Sequence, residues 1–299
     1  MSRVESVLVT GASGMVGHRL VRHFSRDRHV VAAMRPGPRP ERLDRVLARA
    51  TRATSATLSS DDIAQLLDRH RPQAVLNAAG LIKQRPAAAD NVAMIEANAA
   101  LPHRLAAACA ARGIRLIHIS SDCVFSGGRG GYCESDVPDA TDMYGRSKAL
   151  GEPDAPGCLS LRTSVIGPEI GSAFGLVEWF RSRQGLTANG YRKVIFPGLP
   201  TIKVAAIIED VLDRFPTLNG LYHVGAEPIS KFDLLDLINR RYDLRVTLRP
   251  ADEPVSDRSL DYSRFSRATG YRPDPWPSLV EMMAADEELE LAGSMNARA

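Results

Sequence analysis

Tyr144 and Lys148 stand four residues apart in Met143-Tyr-Gly-Arg-Ser-Lys-Ala-Leu-Gly-Glu152, downstream of the glycine-spaced stretch Gly11-Ala-Ser-Gly-Met-Val-Gly17. On a helix the four-residue spacing brings a phenol and an ammonium onto one face, where the cation favours phenolate over phenol. Such a pair suits carbonyl reduction. That chemistry needs a hydride donor over the carbonyl face, a proton donor at the carbonyl oxygen, and a second hydrogen bond to fix that oxygen. Tyr144 can give the proton. A free tyrosine, with a pKa of about 10, exchanges its proton too reluctantly near neutrality, and Lys148 together with an oxidised nicotinamide would lower it. Lys148 can also hold the nicotinamide ribose hydroxyls. The second donor is expected where the strand before this helix ends, at Ser120, Ser121 and Asp122.

The hydride carrier needs its own cradle. Gly11, Gly14 and Gly17 fall between the strand-like Ser6-Val-Leu-Val-Thr10 and a helical pattern through Val16, Leu20, Val21 and Phe24. Glycine lets backbone amides approach a ligand, and the helix N-terminus presents a positive dipole end to a pyrophosphate. The spacing Gly-x-x-Gly-x-x-Gly is wider at its start than Gly-x-Gly-x-x-Gly, but its strand-to-helix setting is the one a dinucleotide requires. Gly11, Ser13, Gly14, Met15, Val16 and Gly17 are the expected contacts. The second strand, His29-Val-Val-Ala-Ala-Met34, ends without the Asp or Glu that accepts ribose hydrogen bonds from NAD. Arg35 follows instead, with Arg39 four residues on, offering cations to a 2′-phosphate. NADP(H) is therefore expected ahead of NAD(H). Thr57 and Leu58 are expected near the adenine.

The elements that must position these groups alternate. After the first βαβ unit come a helix around Ile63–Arg69, a strand at Ala74–Asn77, a helix over Asn91–Arg112, a strand at Arg115–Ile119 and a strand at Leu159–Ile166. Alternation of this kind predicts an α/β fold, a Rossmann-type doubly wound parallel sheet. The sheet is expected within residues 1–166. Residues 167–299 are expected to form mainly a smaller substrate-binding lobe, with parts of about 200–240, including a strand at Leu221–Val224 and a helix at Lys231–Arg240, returning to the main body.

Composition sets outer bounds. The 299 residues are 44% hydrophobic and 24% charged with a net charge of +3, which gives no support to nucleic-acid binding. Cys109, Cys123, Cys133 and Cys158 lack CxxC spacing, and the seven histidines lack HExxH or other ligand spacing, so no metal site is expected. No apolar run approaches the ~18 residues of a membrane span. A soluble, cytoplasmic protein is the expectation, and a homodimer is compatible with it. A substrate pyrophosphate would need cations, and the clusters Arg181/Arg183 and Tyr191-Arg192-Lys193 are candidates to supply them.

Taken in order, Gly11–Gly17, Asn77-Ala-Ala-Gly80, Ile119-Ser-Ser-Asp-Cys-Val-Phe125, Tyr144–Lys148 with Gly151-Glu152, and Leu161-Arg-Thr-Ser164 resemble the extended short-chain dehydrogenase/reductases. Within that family, Ser-Ser-Asp-x-Val-Phe and the triplet Tyr132, Glu134 and Asp136 are most similar to the dTDP-4-dehydrorhamnose reductases, which reduce a 4-keto-6-deoxyhexose on a nucleoside diphosphate. The resemblance implies Ser121 as the carbonyl-binding residue, Tyr144 as the acid and Lys148 as the ribose contact. It implies Ala78, Ala79 and Gly80 along the cofactor, Thr163 and Ser164 near the nicotinamide, and Ser121 and Asp122 toward the substrate, where Lys83, Arg181 and Arg192 are the cations expected to join them. Asn98 would either support a link near Lys148 or fix a helix to a strand. Two departures carry weight. Cys123 stands where related 4,6-dehydratases use a Glu, which disfavours elimination, and Leu81-Ile-Lys-Gln-Arg85 replaces a Thr-x-Val-Asp-type segment that bears on the sugar. Two other readings stay open: an epimerase with tightly bound NAD, and a non-catalytic NADP-binding regulatory subunit.

Overall fold

The computed structural model describes residues 3–54, 58–84 and 89–296. Seven parallel strands form the central sheet: β1 (Ser6–Thr10), β2 (His29–Met34), β3 (Thr51–Thr54), β4 (Ala74–Asn77), β5 (Arg115–Ile119), β6 (Cys158–Arg162) and β11 (Gly220–His223). Their order is β11-β6-β5-β4-β1-β2-β3. The chain therefore reverses its direction of winding between β1 and β4, the switch point at which open α/β sheets bind ligands.

Apolar runs on these strands fill both faces because successive side chains point to opposite sides. Val7 and Val9 of β1 face a core shared with α1 (Met15–Phe24) and α8 (Thr201–Arg214), while Leu8 joins Ile63, Leu67 and Leu105 of α3 (Ser60–His70) and α5 (Leu101–Ala110). The expected doubly wound parallel sheet is what the chain forms. α3 opens on a capping box in which Ser59 and Asp62 satisfy each other's amides at 3.2 and 3.0 Å.

Three expectations change in detail. The helix anticipated over Asn91–Arg112 is α4 (Asn91–Ile95) running into α5 through a π segment at Glu96–Ala100, a widened turn that places Asn98 inside the protein. The strand anticipated at Leu159–Ile166 breaks after Arg162: the Thr163 carbonyl accepts from Asp122, while the Ser164 carbonyl accepts from Leu199. As a result β7 (Val165–Ile166) leaves the sheet to pair with β10 (Leu199–Pro200). Of the segment expected to return to the main body, α8 packs on α1 and β11 joins β6, but α9 (Lys231–Arg241) packs on strands of the second lobe and on α11 (Trp276–Asn296).

The second lobe is built from small sheets. β9 (Val194–Phe196) lies between β12 (Ile229–Ser230) and β14 (Ser256–Asp257), and β8 (Thr187–Tyr191) pairs with β13 (Thr247–Ala251). The core is continuous across both parts, since Leu234, Leu235 and Ile238 of α9 belong to the same buried cluster as Val7 and Val9. Among the described residues no helix is long and apolar enough to cross a membrane.

Candidate active site

The glycine loop is fixed by close backbone packing. Gly11 has φ +66°, and a Cβ there would sit 2.6 Å from the Ala79 Cα and 2.7 Å from the Ala78 carbonyl oxygen. Ala12 donates to the Ala33 carbonyl of β2 at 3.2 Å, so the loop is tied to the strand that leads to Arg35. A Cβ on Gly17 would strike the Gly11 carbonyl, whereas at Gly14 it would meet only that carbonyl's oxygen, at 3.3 Å, which leaves space above the loop. α1 begins without a side-chain cap and without an acidic residue in its first turn. Uncapped amides, an open Gly14 and the exposed Arg35 at the end of β2 fit a dinucleotide with a phosphate on its adenosine ribose. Leu58, in the left-handed region at φ +51°, follows β3. Thr57 lies outside the described residues.

The next loop along the sheet edge is anchored by Asn77. Its side-chain oxygen accepts from the Thr10 hydroxyl at 2.7 Å and from the Ala79 amide at 3.2 Å, which holds Ala78, Ala79 and Gly80 beside the glycine loop. The Asn77 amide reaches His118 Nδ1 at 2.9 Å. Asn98 then grips the following residue, exchanging two hydrogen bonds with the Leu81 backbone at 2.7 and 2.9 Å and reaching Ser147 Oγ at 3.2 Å. This geometry ties the π segment to the loop after β4 and, through Ser147, to α6 beside Lys148, so it is compatible with both anticipated roles.

Ser121, Tyr144 and Lys148 are brought together. α6 (Met143–Leu150) starts at Asp142, whose carboxylate caps the Gly145 amide at 2.8 Å, and Gly145 lets the helix lie against the Cys123 carbonyl. Tyr144 lies near enough to Ser121 for the serine hydroxyl to act on the phenol. Ser121 Oγ also accepts from the Cys123 amide at 3.1 Å and lies 3.2 Å from Asp122 Oδ1. Lys148 is buried and donates to the Ile119 carbonyl at 2.8 Å.

The electrostatics differ from the simple expectation. Burial, with a smaller contribution from Cys123, pushes the Tyr144 phenol above its ordinary range, and Ser121 opposes that shift. Burial also lowers the Lys148 ammonium to about 8, with Glu152 pulling the other way. Lys148 spends its proton on Ile119, and desolvation outweighs any attraction it exerts on the phenolate. A phenol kept protonated is the form that can donate to a carbonyl oxygen.

Behind the cluster runs a buried charged chain. Glu152 accepts from Ser120 Oγ at 2.6 Å and from both arms of Arg162 at 2.8 and 2.7 Å. Arg162 Nη1 reaches His223 Nε2 at 3.3 Å, and His223 Nδ1 meets the Tyr132 carbonyl at 3.0 Å. Since Nδ1 donates to that carbonyl, Nε2 is the acceptor and the ring is neutral, consistent with burial and Arg162 lowering it to about 4. Asp122, also buried, is raised by burial and donates its amide to the Thr163 carbonyl at 3.3 Å, so Thr163 and Ser164 adjoin the end of β5.

The substrate-side arginines land elsewhere. Arg181, on α7 (Leu176–Arg181), is paired with Glu287 of α11 and with Glu178 at 3.0 Å, and lies over the Tyr242 ring. It ties α7 to α11. Arg192 is held by both carboxylate oxygens of Asp252 at 2.8 Å in an exposed pair between β8 and β9. Among the described residues no contact joins either to the Ser121–Tyr144 cluster, and carboxylates already occupy both guanidinium groups. Lys83 is closer, exposed and 4.0 Å from Asp142; Arg85 lies outside the described residues. Burial raises the Cys123 thiol to about 12, which makes it a poor nucleophile. Sequence reasoning missed Lys231 and Arg258, which share an electrostatic environment with Asp122 and Cys123, and it missed the partners of Glu152.

The glycine loop, Arg35, the Ala78–Gly80 loop and Ser121 each sit just past a parallel strand's carboxyl end, and Tyr144 and Lys148 stand on α6. A seven-stranded parallel sheet with a glycine loop after β1 and a Ser–Tyr–Lys set beyond β5 has the architecture of an extended short-chain dehydrogenase/reductase. Within that class the chain belongs to the family of the RmlD substrate binding domain, whose model matches residues 5–287. It is similar to the dTDP-4-keto-6-deoxy-D-glucose reductase of Streptomyces niveus, 35% identical over 146 residues that take in 48% of this chain and 45% of that protein. It is also similar to methionine adenosyltransferase 2 subunit beta of Mus musculus, 26% identical over 92% of this chain and 88% of that one. The fold superposes on the dTDP-4-dehydrorhamnose reductase of Bacillus anthracis, solved in complex with NADP, with a TM-score of 0.74, 20% identity and coverage of 95% and 100%.

Proposed function

We propose that this protein is an NADPH-dependent reductase of a nucleotide-linked 4-keto-6-deoxysugar, with Tyr144 as general acid. The observation that carries the reading is the gathering of Ser121, Tyr144 and buried Lys148 on the sheet edge that also holds the glycine loop. The reductase relatives and the NADP complex of a structural neighbour support the same chemistry. When bound, the dinucleotide supplies the hydride. Ser121 donates to the keto oxygen and fixes it, Tyr144 protonates it as negative charge develops, and Lys148 stabilises the phenolate left behind. The Asn77 and Asn98 clamps hold the loops at the distances this geometry needs. Tyr144→Phe removes the proton and little volume. It is expected to leave NADPH affinity nearly unchanged while turnover of nucleotide-linked keto-sugars falls by about 10²–10⁴-fold. Undiminished turnover in that variant refutes the assignment.

A second reading has one observation in its favour: the methionine adenosyltransferase subunits match almost the whole chain. In it, the protein binds NADP and acts by docking on a partner enzyme. Purification of a stable hetero-complex, together with no NADPH oxidation across a panel of keto-sugars, would establish it over the first.

A further inference from the structure

Lys231 opens α9 immediately after β12, and Arg258 immediately follows β14; β9 lies between those two strands in one sheet. That sheet is fastened to the loop beyond Ser121. Arg258 donates to the carbonyls of Phe125 and Ser126 at 2.8 and 3.1 Å, and the Asp257 amide donates to the Gly127 carbonyl at 2.7 Å. The consequence is that Lys231, a residue of the second lobe, faces Asp122, Cys123, Arg258 and Lys83. Arg258 and Lys231 thus lie near the carboxyl of Asp122, whose burial favours its neutral form, and Lys83 stands close by, 4.0 Å from Asp142.

Lys231 occupies this place against its own stability. A cation at the first position of a helix opposes the dipole, which favours anions there. The side chain is partly buried, burial weakens its hold on its proton, and among the described residues no carboxylate lies within 4.0 Å of it. A desolvated cation without a partner lowers stability, and an anion that binds it restores the loss. The cofactor's own pyrophosphate has its cradle at the glycine loop beyond β1, whereas Lys231 faces the loop beyond β5 from the opposite lobe.

We infer that Lys231, flanked by Arg258 and Lys83, binds the diphosphate of the nucleotide-linked sugar and so sets the keto carbon over Ser121 and Tyr144. This rests on the reductase reading above. In that substrate class the diphosphate is the group with multiple negative charges, and it matches Lys231 and Arg258 beside an acid whose charge burial disfavours, with Lys83 close by. Lys231 is then a binding residue, and its effect should appear in the affinity for nucleoside diphosphates.

The test uses the full chain carrying Lys231→Met or Lys231→Arg, with calorimetric titration of dTDP, UDP, GDP and inorganic pyrophosphate, and of NADPH as a control. The wild type should bind at least one nucleoside diphosphate. Lys231→Met should weaken that binding by about tenfold or more, the loss of one charge-assisted contact, with NADPH affinity changed by less than about twofold. Lys231→Arg should come back to within about threefold. The melting temperature of Lys231→Met should stay level or rise, because an unpaired cation is removed from the positive end of a helix. Binding by Lys231→Met that equals the wild type overturns the role of Lys231 and leaves the reductase reading in place. A wild type that binds none of the nucleoside diphosphates overturns both. A lowered melting temperature with equal loss of NADPH binding marks Lys231 as structural and overturns the inference as well.

Discussion

Arg162→Met should reveal how much the chain depends on its buried charge network. The Arg162 and Glu152 side chains are 3% and 10% exposed, and the guanidinium grips both carboxylate oxygens. Methionine keeps much of the stem volume against Phe125 yet leaves Glu152 with the Ser120 hydroxyl as its remaining partner, at 2.6 Å, and deprives His223 Nε2 of its donor. Removing one partner of a buried ion pair costs about 3–5 kcal/mol, since the other charge stays desolvated. Unfolding entropy of about 2.1 cal/mol/K per residue over 299 residues comes to about 0.6 kcal/mol/K, so the melting temperature should fall by roughly 5–8 °C. Calorimetric melts at neutral pH read this directly. The double variant Glu152→Gln/Arg162→Met removes both charges of the pair and should regain at least about half of the loss. Because Ser120 precedes Ser121, NADPH-driven turnover should drop in the single variant and partly return in the double one. A single variant that melts within about 1 °C of the wild type, or a double variant less stable than the single by the full value of a second independent loss, would refute the coupling.

Three further outcomes follow from the site. Lys148 is lowered to about 8 by burial, below its unfolded value of 10.5, so the native state sheds this proton first: stability gains from pH 8 to 10.5 while kcat/KM, which needs the cation, falls about tenfold per pH unit above 8. A profile flat from pH 7 to 9.5 would contradict this. Arg35→Ser should weaken NADPH binding by about tenfold or more and leave NADH unaffected, as titration of both cofactors would show; equal losses would remove Arg35 from 2′-phosphate recognition. His18 and His223 are each held near 4 by burial, below an unfolded value of 6.5, so the unfolded chain binds their protons first and stability is lost as pH falls from 6.5 toward 4. His223→Gln should flatten that slope in melts across pH 4–7 by about one proton's worth, and an identical slope would count against a neutral His223.

What was legible in the sequence is what lies within one strand and the loop after it. Val7, Leu8 and Val9 alternate between two cores, and the ligand-facing loops of this fold follow directly on such strands. Gly11–Gly17 after β1, Asn77–Gly80 after β4 and Ser121 after β5 could therefore be read before any tertiary contact was known. β7 could not, because Thr163 and Ser164 turn their carbonyls to Asp122 and Leu199, and neither partner is marked locally. The same limit explains the arginines. Arg181 and Arg192 have the composition of phosphate ligands, but Glu287 lies 106 residues from the first and Asp252 lies 60 from the second.

Surface arginines are common, and sequence does not tell which of them an acid will claim. The residues that escape such pairing are the ones left to meet a charged ligand. Here that set is drawn from the lobe that sequence describes least well. Lys231 is separated from Asp122 by more than a hundred residues and comes near it because β12, β9 and β14 form one sheet and Arg258 ties that sheet to Phe125 and Ser126. The proposed catalytic residues are thus written in local motifs on the sheet edge, while the proposed substrate contact rests on a register between two lobes. Substitutions that shift that register, such as Arg258→Met, should change affinity for the nucleotide-linked sugar while the Ser121–Tyr144–Lys148 set stays whole. NADPH affinity measured alongside sugar KM would separate the two, and a parallel loss of both would place Arg258 in the support of the catalytic strand.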